Sequence, residues 1–599
     1  MEVLAALADF GGICGGIYAR EAGERMTRDA GQPSSGRDVR LARSFEDALA
    51  FHQRGRLAEA EMLYRQVLAS EPRHFGSLHL LGVIASQRGD HAAALVRIDA
   101  ALSLHDGDAD AWNNRAIALR ELKRLDEALA ACDRAIALDG AHARAFTNRG
   151  SVLLDLNRPQ EALASFDSAI ALDPRLADAF CNRGNALMTL ERLADALESY
   201  NRAVALAPDS AELLCRRGYA LKDLNRLSEA LASYDRAIAL EPTHYAAHSD
   251  RAVVLMEMDR LHEAMASFDA AVALKADCAE ALNNRGMAKL LTGDYRGGWA
   301  DHEWRWKART FGGERPQSGA PEWEGEEIAD KRILVFGEQG LGDVIQFARY
   351  VPLLVRKGAR ATLLVKPSLV RLLSTLEGAI EIVAALGESD RFDVQCPLMG
   401  LPKRFGTEVE TIPNSVPYLK AEEDRVARWK QHLGDEGFRI GIAWRAKIGS
   451  TLGVRLHGER RSLRLAELAP LGRIAGVRLI SLQKQHGLEQ LQEMPSDVRV
   501  ETLGPDFDEG PDAFLDTAAV MRHLDLVVTV DTAIAHLAGA LAMRTWVALR
   551  KVPDWRWLLE RSDTPWYPTL RLYRQEKDGD WAGVISGMEQ HLAALMGKG

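Results

Sequence analysis

Residues 336–350 read FGEQGLGDVIQFARY, three glycines with a glutamate, a glutamine and an aspartate directly after the apolar run Ile333-Leu334-Val335. An apolar run, a glycine turn and a mixed segment spell a strand, a tight turn and a helix. Gly337, Gly340 and Gly342 permit a tight turn and the close approach of another group, and a helix from Asp343 to Tyr350 would aim its first amides outward. The spacing is not GxGxxG, so a dinucleotide fingerprint is poorly supported. Taken alone, the stretch fits either a structural turn or a loop that holds a reactant.

The same grammar continues outward. ARATLLVKPSLVRLLST (359–375) is another strand and helix, and a second set runs through FRIGIAWRAK (438–447), VRLISLQKQHG (477–487) and LDLVVTVDTAIAHLAGALAMRTWVAL (524–549). Strands rich in Val, Ile and Leu alternating with helices predict two Rossmann-like halves with a cleft between them, joined by helix-rich sequence around 411–436. In the second half a buried strand runs into Asp531 and Thr532 and then into a helix carrying His536. Exposed amides and a hydroxyl at such a point suit a diphosphate, with His536 near enough to donate a proton or touch a sugar. Equally, Asp531 suits an N-cap and His536 a satisfied core position.

Upstream the chain repeats with a period of 34. One column reads Gly82, Ala116, Gly150, Gly184, Gly218, Ala252 and Gly286; a second reads Ala60, Ala94, Ala128, Ala162, Ala196, Ala230 and Ala264. Four residues after the second come Tyr64, Ile98, Cys132, Phe166, Tyr200, Tyr234 and Phe268. Small residues let two helices approach, and the larger residue is expected to fill the gap between neighbouring pairs. Pro72, Pro174, Pro208 and Pro242 share a column at the end of the second helix, where the missing amide stops it. The spacing and order resemble tetratricopeptide repeats, which implies a right-handed α-helical superhelix with an inner surface for a peptide. Asn114, Asn148, Asn182 and Asn284 stand two residues before the Gly/Ala column, interrupted by Arg216 and Asp250. Their amides suit either a peptide backbone or plain solvation.

Together EQGLGDVIQFARY (338–350), GIAWRAK (441–447), SLQK (481–484), VDTAIAHLAGAL (530–541) and PDWRWLLERSDTPWYPTLRLYRQ (553–575) resemble bacterial repeat-containing glycosyltransferases related to heptosyltransferases and, more distantly, to O-linked GlcNAc transferases. The junction segments YRGGWADHEWRWK (295–307) and PEWEG (321–325) extend the likeness. It implies a GT-B fold after the repeats: lead-in 1–41, repeats 42–300, junction 301–330, acceptor-side half 331–425, and nucleotide-sugar half with a C-terminal helix 426–599. It also implies inverting, metal-independent transfer of a sugar to Ser or Thr hydroxyls of a protein, flagellin or another surface protein among the acceptors.

Carried over residue by residue, Asp343 becomes the base that deprotonates the acceptor. Gly340 and Gly342 shape the turn, and Gln339 beside Glu338 orients donor or acceptor. Lys447 or Arg445, then Lys484, neutralise the leaving diphosphate. Asp531, Thr532 and His536 meet the donor, and Asn114, Asn148, Asn182 and Asn284 form an acceptor ladder. The tract 452–471 departs from the family's NDRNRS pattern while retaining Arg461 and Ser462. Trp555, Trp557, Trp566 and Tyr567 suit the core or a stacking surface.

A net charge of −10 argues against a general nucleic-acid-binding surface. Six scattered cysteines without a CxxC pair suggest neither a disulfide framework nor zinc, and fit a cytoplasmic chain. No apolar run spans a bilayer. The expectation is a transferase with no tightly bound cofactor and a nucleotide sugar as substrate, a homo-oligomer being compatible. The alternatives are a non-catalytic peptide-binding scaffold and a transferase acting on a glycan or lipopolysaccharide.

Overall fold

The computed structural model describes residues 36–309, 311–446 and 452–597. The chain divides into two units after Leu224.

The described part of the first unit is helical, from Gly36–Gln53 to Ala211–Asp223. Helices alternate in pairs, as in Ala143–Asp155 with Pro159–Leu172. The small column is what brings a pair together: a Cβ on Gly150 would stand 2.6 Å from the Phe166 ring, and one on Gly184 would stand 2.5 Å from Tyr200. The larger residue therefore fills the hollow over the glycine of its own pair, which corrects the expectation that it fills the gap between neighbouring pairs.

The corner inside each pair has a column of its own. Gly55, Gly89, Lys123, Asn157 and Glu191 all adopt positive φ, the last three at 60°, 58° and 61°. The chain reverses there with a 6→1 hydrogen bond, Arg158 N to Leu153 O at 2.8 Å in one pair. The next residue is often arginine, and Arg124 and Arg158 each fork onto the glutamate three residues on at 2.7 Å. Pro174 lies two residues beyond Leu172, the last of its helix. Neighbouring pairs are clipped by a further arginine: Arg149 donates to Asp133 of the preceding pair at 2.7 Å and to Ser165 of its own at 2.8 Å. Arg183 repeats this with Asp167 and Ser199, both at 2.7 Å.

The second unit begins with five further helices, Leu227–Leu240 to Tyr295–His302, and continues as a mixed α/β region. Its strands are β1 (Arg332–Phe336), β2 (Arg360–Leu364), β3 (Ile380–Val383), β4 (Val394–Pro397), β5 (Phe438–Ala443), β6 (Val477–Ser481), β7 (Val500–Glu501), β8 (Leu526–Val530), β9 (Thr545–Leu549) and β10 (Leu570–Arg574). They form two sheets, ordered β3-β2-β1-β4 and β10-β9-β8-β5-β6-β7, with every pairing parallel. Covered on both faces, such strands lose the polar alternation of a half-exposed sheet, and every residue of β8 and β9 is buried. The linking sequence contributes one α-helix, Glu423–Leu433.

One apolar core runs through Leu290 and Trp299 of the last helix pair, Ile333 and Val335 of the first sheet, and Val527 and Val547 of the second. Trp555, Trp557, Trp566 and Tyr567 all lie inside it. The Trp566 indole donates to the Tyr295 hydroxyl at 3.2 Å, and the Trp299 indole to the Thr407 carbonyl at 3.0 Å. No helix among the described residues is long and apolar enough to cross a membrane.

Candidate functional site

The turn after β1 leads into helix Leu341–Phe347, which packs against helix Ala533–Ala540 of the second sheet. Gly342 permits the contact: a Cβ there would stand 3.2 Å from Ala533 Cα and 3.1 Å from His536 Cδ2. The glycine thus serves a helix crossing. Asp343 caps its own helix, one carboxylate oxygen accepting from the Gly340 amide at 2.9 Å, while the other accepts from Arg556. Arg556 is the hub, since its guanidinium also donates to Gln346 at 2.7 Å and to Asp554 at 2.8 Å, and lies over Trp555 at 4.4 Å. Burial opposes its charge, but Asp554 and Asp343 outweigh burial and hold it protonated.

His536 is a core residue in this arrangement. Its ring stacks on Trp557 with centroids 5.5 Å apart, and Nδ1 meets the Tyr567 hydroxyl at 3.0 Å. Burial, reinforced by Arg556, holds its pKa well below the usual range, so the imidazole is neutral. Nearby, buried Arg349 has no carboxylate partner at its guanidinium among the described residues. It donates to the carbonyls of Gln346, Pro413 and Trp566 and to the Tyr418 hydroxyl, and lies over Tyr567 at 4.3 Å.

At the carboxyl end of β8, Thr532 is the N-cap of Ala533–Ala540, its hydroxyl accepting from the Ile534 amide at 3.3 Å. Asp531 is buried with Arg461 at 3.9 Å; burial, then the charge of Asp554, raises its pKa. Asp531, Asp554, Arg461 and Arg550 line a recess of about 40 Å³, close to the room one water occupies. Arg445 and Lys484 turn to other partners, Arg445 towards Glu489 at 3.8 Å and Lys484 onto the Asp508 carbonyl. Lys447 lies outside the described residues. Gln339 is half-buried in the turn. The structure therefore gathers Gly340, Gly342, Asp343, His536, Asp531 and Thr532 where the two sheets meet, and places Arg445 and Lys484 in separate contacts. Arg556, Arg349 and Arg305, which pairs with Glu338 at 2.6 Å, were missed in the sequence, although Arg556 sits within the WRW of residues 555–557.

In the repeats, the asparagine column runs from helix to helix. Asn114 Nδ2 meets His79 at 2.9 Å, Asn148 Nδ2 donates to Asn113 at 2.7 Å, and Asn182 Nδ2 donates to Ser151 at 3.4 Å. Each partner lies on the preceding pair, and all three asparagines are half-exposed. Asn284 is half-exposed in the second unit.

Family models described as tetratricopeptide repeat match residues 45–98 and 147–211, and, in a second model, residues 109–142 and 211–244. The chain carries tetratricopeptide repeats. It is 25% identical to protein FlbA of Caulobacter vibrioides over 51% of this chain and 56% of that protein, so the match spans little more than half the length of this curated relative. Among solved structures it resembles YrrB, described as a TPR protein with an unusual peptide-binding site (27% identity, 31% of this chain and 97% of that one, TM-score 0.28). It also resembles pilF of Pseudomonas aeruginosa (22%, 35% and 95%, TM-score 0.32). A thermophilic TPR protein of Thermus thermophilus matches similarly (23%, 31% and 100%, TM-score 0.28).

These findings correct the expectation of a glycosyltransferase that uses a nucleotide sugar. The family models match tetratricopeptide repeats, which favours the alternative reading of the sequence, a peptide-binding scaffold. Asp343, the expected base, has one oxygen on an amide and the other on a guanidinium, and His536 is buried in the core.

Proposed function

We propose that this chain is a peptide-binding scaffold whose helix pairs hold an extended segment of a partner protein along the asparagine column. The observation that carries the reading is the way Asn114, Asn148 and Asn182 are held. Each engages the preceding helix pair through one amide nitrogen, which fixes the side chain. Each retains a second N–H on a half-exposed residue, and each side-chain carbonyl keeps a lone pair, that of Asn182 beyond the one it offers Asn185 Nδ2 at 3.3 Å. A period of 34 repeats this donor and acceptor set at even steps, and a peptide backbone offers complementary groups along its length. Asn284 holds the same position of the sequence column within the second unit.

The remaining assignments follow the same division. Residues 42–300 are the tetratricopeptide repeats, 301–330 the junction, and 331–425 and 426–599 two Rossmann-like halves. The strand order β7-β6-β5-β8-β9-β10 supports that reading, because it is the 3-2-1-4-5-6 order of doubly wound sheets, and β3-β2-β1-β4 is its first part. Cys132, Cys181, Cys215, Cys278 and Cys396 are free thiols, which supports a cytoplasmic setting.

The test is a peptide array probed with the full-length protein and with a triple variant, Asn114→Ala, Asn148→Ala and Asn182→Ala. The expected outcome is capture of a subset of peptides by the wild type and loss of most of that capture in the variant. Equal capture by both proteins would move binding off the asparagine column.

A further inference from the structure

A cavity of about 450 Å³ opens at the amino-terminal ends of β9 and β10, lined in part by Arg544, Trp546, Thr569, Arg571, His591 and Leu595. It lies at the opposite end of the second sheet from Asp531 and Thr532, which follow the carboxyl end of β8. Parallel register brings its walls together: Arg571 pairs with Trp546, and Leu570 with Thr545. Helix Trp581–Met596 supplies His591 and Leu595 one turn apart.

The lining is cationic and apolar at once, with no acidic residue in it. Among the described residues, neither Arg544 nor Arg571 has a carboxylate partner. Arg571 is nonetheless held in place. One Nη donates to His591 Nε2 at 3.1 Å, the guanidinium lies 5.5 Å from the Tyr573 ring, and His591 Nδ1 meets the Tyr573 hydroxyl at 3.2 Å. That leaves most of its donors uncommitted. Trp546 is buried against Tyr573, ring centroids 5.2 Å apart, and forms an apolar wall with Leu570 and Leu595.

We propose that this cavity binds a small organic anion, a carboxylate or phosphate carried on an apolar body. The anionic head meets Arg544 and Arg571, and the body lies along Trp546 and Leu595. The volume falls within the range of about 300–1,000 Å³ typical of small-molecule sites. Two guanidinium groups without acids provide charge-assisted hydrogen bonds that need not first be taken from a protein carboxylate. The site is independent of the peptide-binding reading, because it uses no residue of the repeats.

Calorimetric titration of the full-length protein with phenyl phosphate, benzoate, inorganic phosphate and phenol tests it. The expected result is binding of phenyl phosphate or benzoate about tenfold or more tighter than inorganic phosphate and phenol, weakened about tenfold by Arg544→Gln and by Arg571→Gln. Phenyl phosphate against benzoate identifies the head group. Arg544 is exposed, so its substitution leaves the core intact. Failure of both aromatic anions to bind, inorganic phosphate binding as tightly as they do, or an affinity unchanged in either variant would overturn the proposal.

Discussion

Replacing Glu338 with Gln should change how stability depends on pH. Glu338 sits in the turn after β1 with its side chain fully covered, as does Arg305, whose side chain is 1% exposed. One carboxylate oxygen accepts from Arg305 Nη2 at 2.6 Å and Nε at 3.1 Å, and the other is buried with no hydrogen-bond partner among the described residues. Arg305 is itself shared with Glu303 at 3.0 Å, and Arg404 also donates to Glu303. Burial therefore prevails over the ion pair and pushes the Glu338 carboxyl from 4.5 up to about 7. Between those two values the folded chain holds a proton that the unfolded chain has released. The stabilising contribution is fully present below about 4.5 and is lost as pH rises through about 7. At about 1.4 kcal/mol per pH unit the loss comes to about 3 kcal/mol. Urea unfolding of wild type and Glu338→Gln, followed by tryptophan fluorescence across this window, reads it directly. Gln cannot ionise, so the variant should gain about 3 kcal/mol relative to wild type from the acid to the alkaline end. Stability curves that stay parallel would refute the argument and place the carboxyl's titration outside the window.

Two further predictions concern other parts of the chain. Arg556→Met should cost about 3–5 kcal/mol by leaving Asp343 and Asp554 without their shared cation, and Arg556→Lys should recover only part, because an ammonium cannot reproduce the fork; an unchanged melting temperature would show that the carboxylates do not depend on it. Glu191, held at φ 61°, should gain up to about 1 kcal/mol on substitution by Gly and lose stability on substitution by Val, read by chemical unfolding.

The repeat pairs and most of the strands were legible because their signals are local. The 34-residue columns report helix contacts that recur with every pair, and the Val/Ile runs at 333–335, 440–442 and 526–530 carry the mark of strands buried on both faces. The 34-residue period also hid a detail. Positive φ at Lys123, Asn157 and Glu191 is imposed by the corner and not announced by glycine, so three different side chains mask one conformation. The candidate site was harder to read for a different reason. Asp343 and Arg556 stand 213 positions apart, and nothing near Asp343 in sequence shows that its carboxylate is already engaged. Gly342 looked like a place for a ligand to approach closely. The close approach is real, but the visitor is Ala533 of a neighbouring helix.

The clips between helix pairs bear on how such a chain can change length. Arg149 reaches back sixteen positions to Asp133, and Arg183 reaches back sixteen to Asp167, so each junction is written in the same terms as the next. Excising or duplicating one whole 34-residue block within residues 125–206 would rejoin an arginine to an aspartate at the original separation and return a glycine to an aromatic ring. Gene segments of that size can thus recombine out of register without leaving a seam, and the reach of the array is open to inheritance by whole steps.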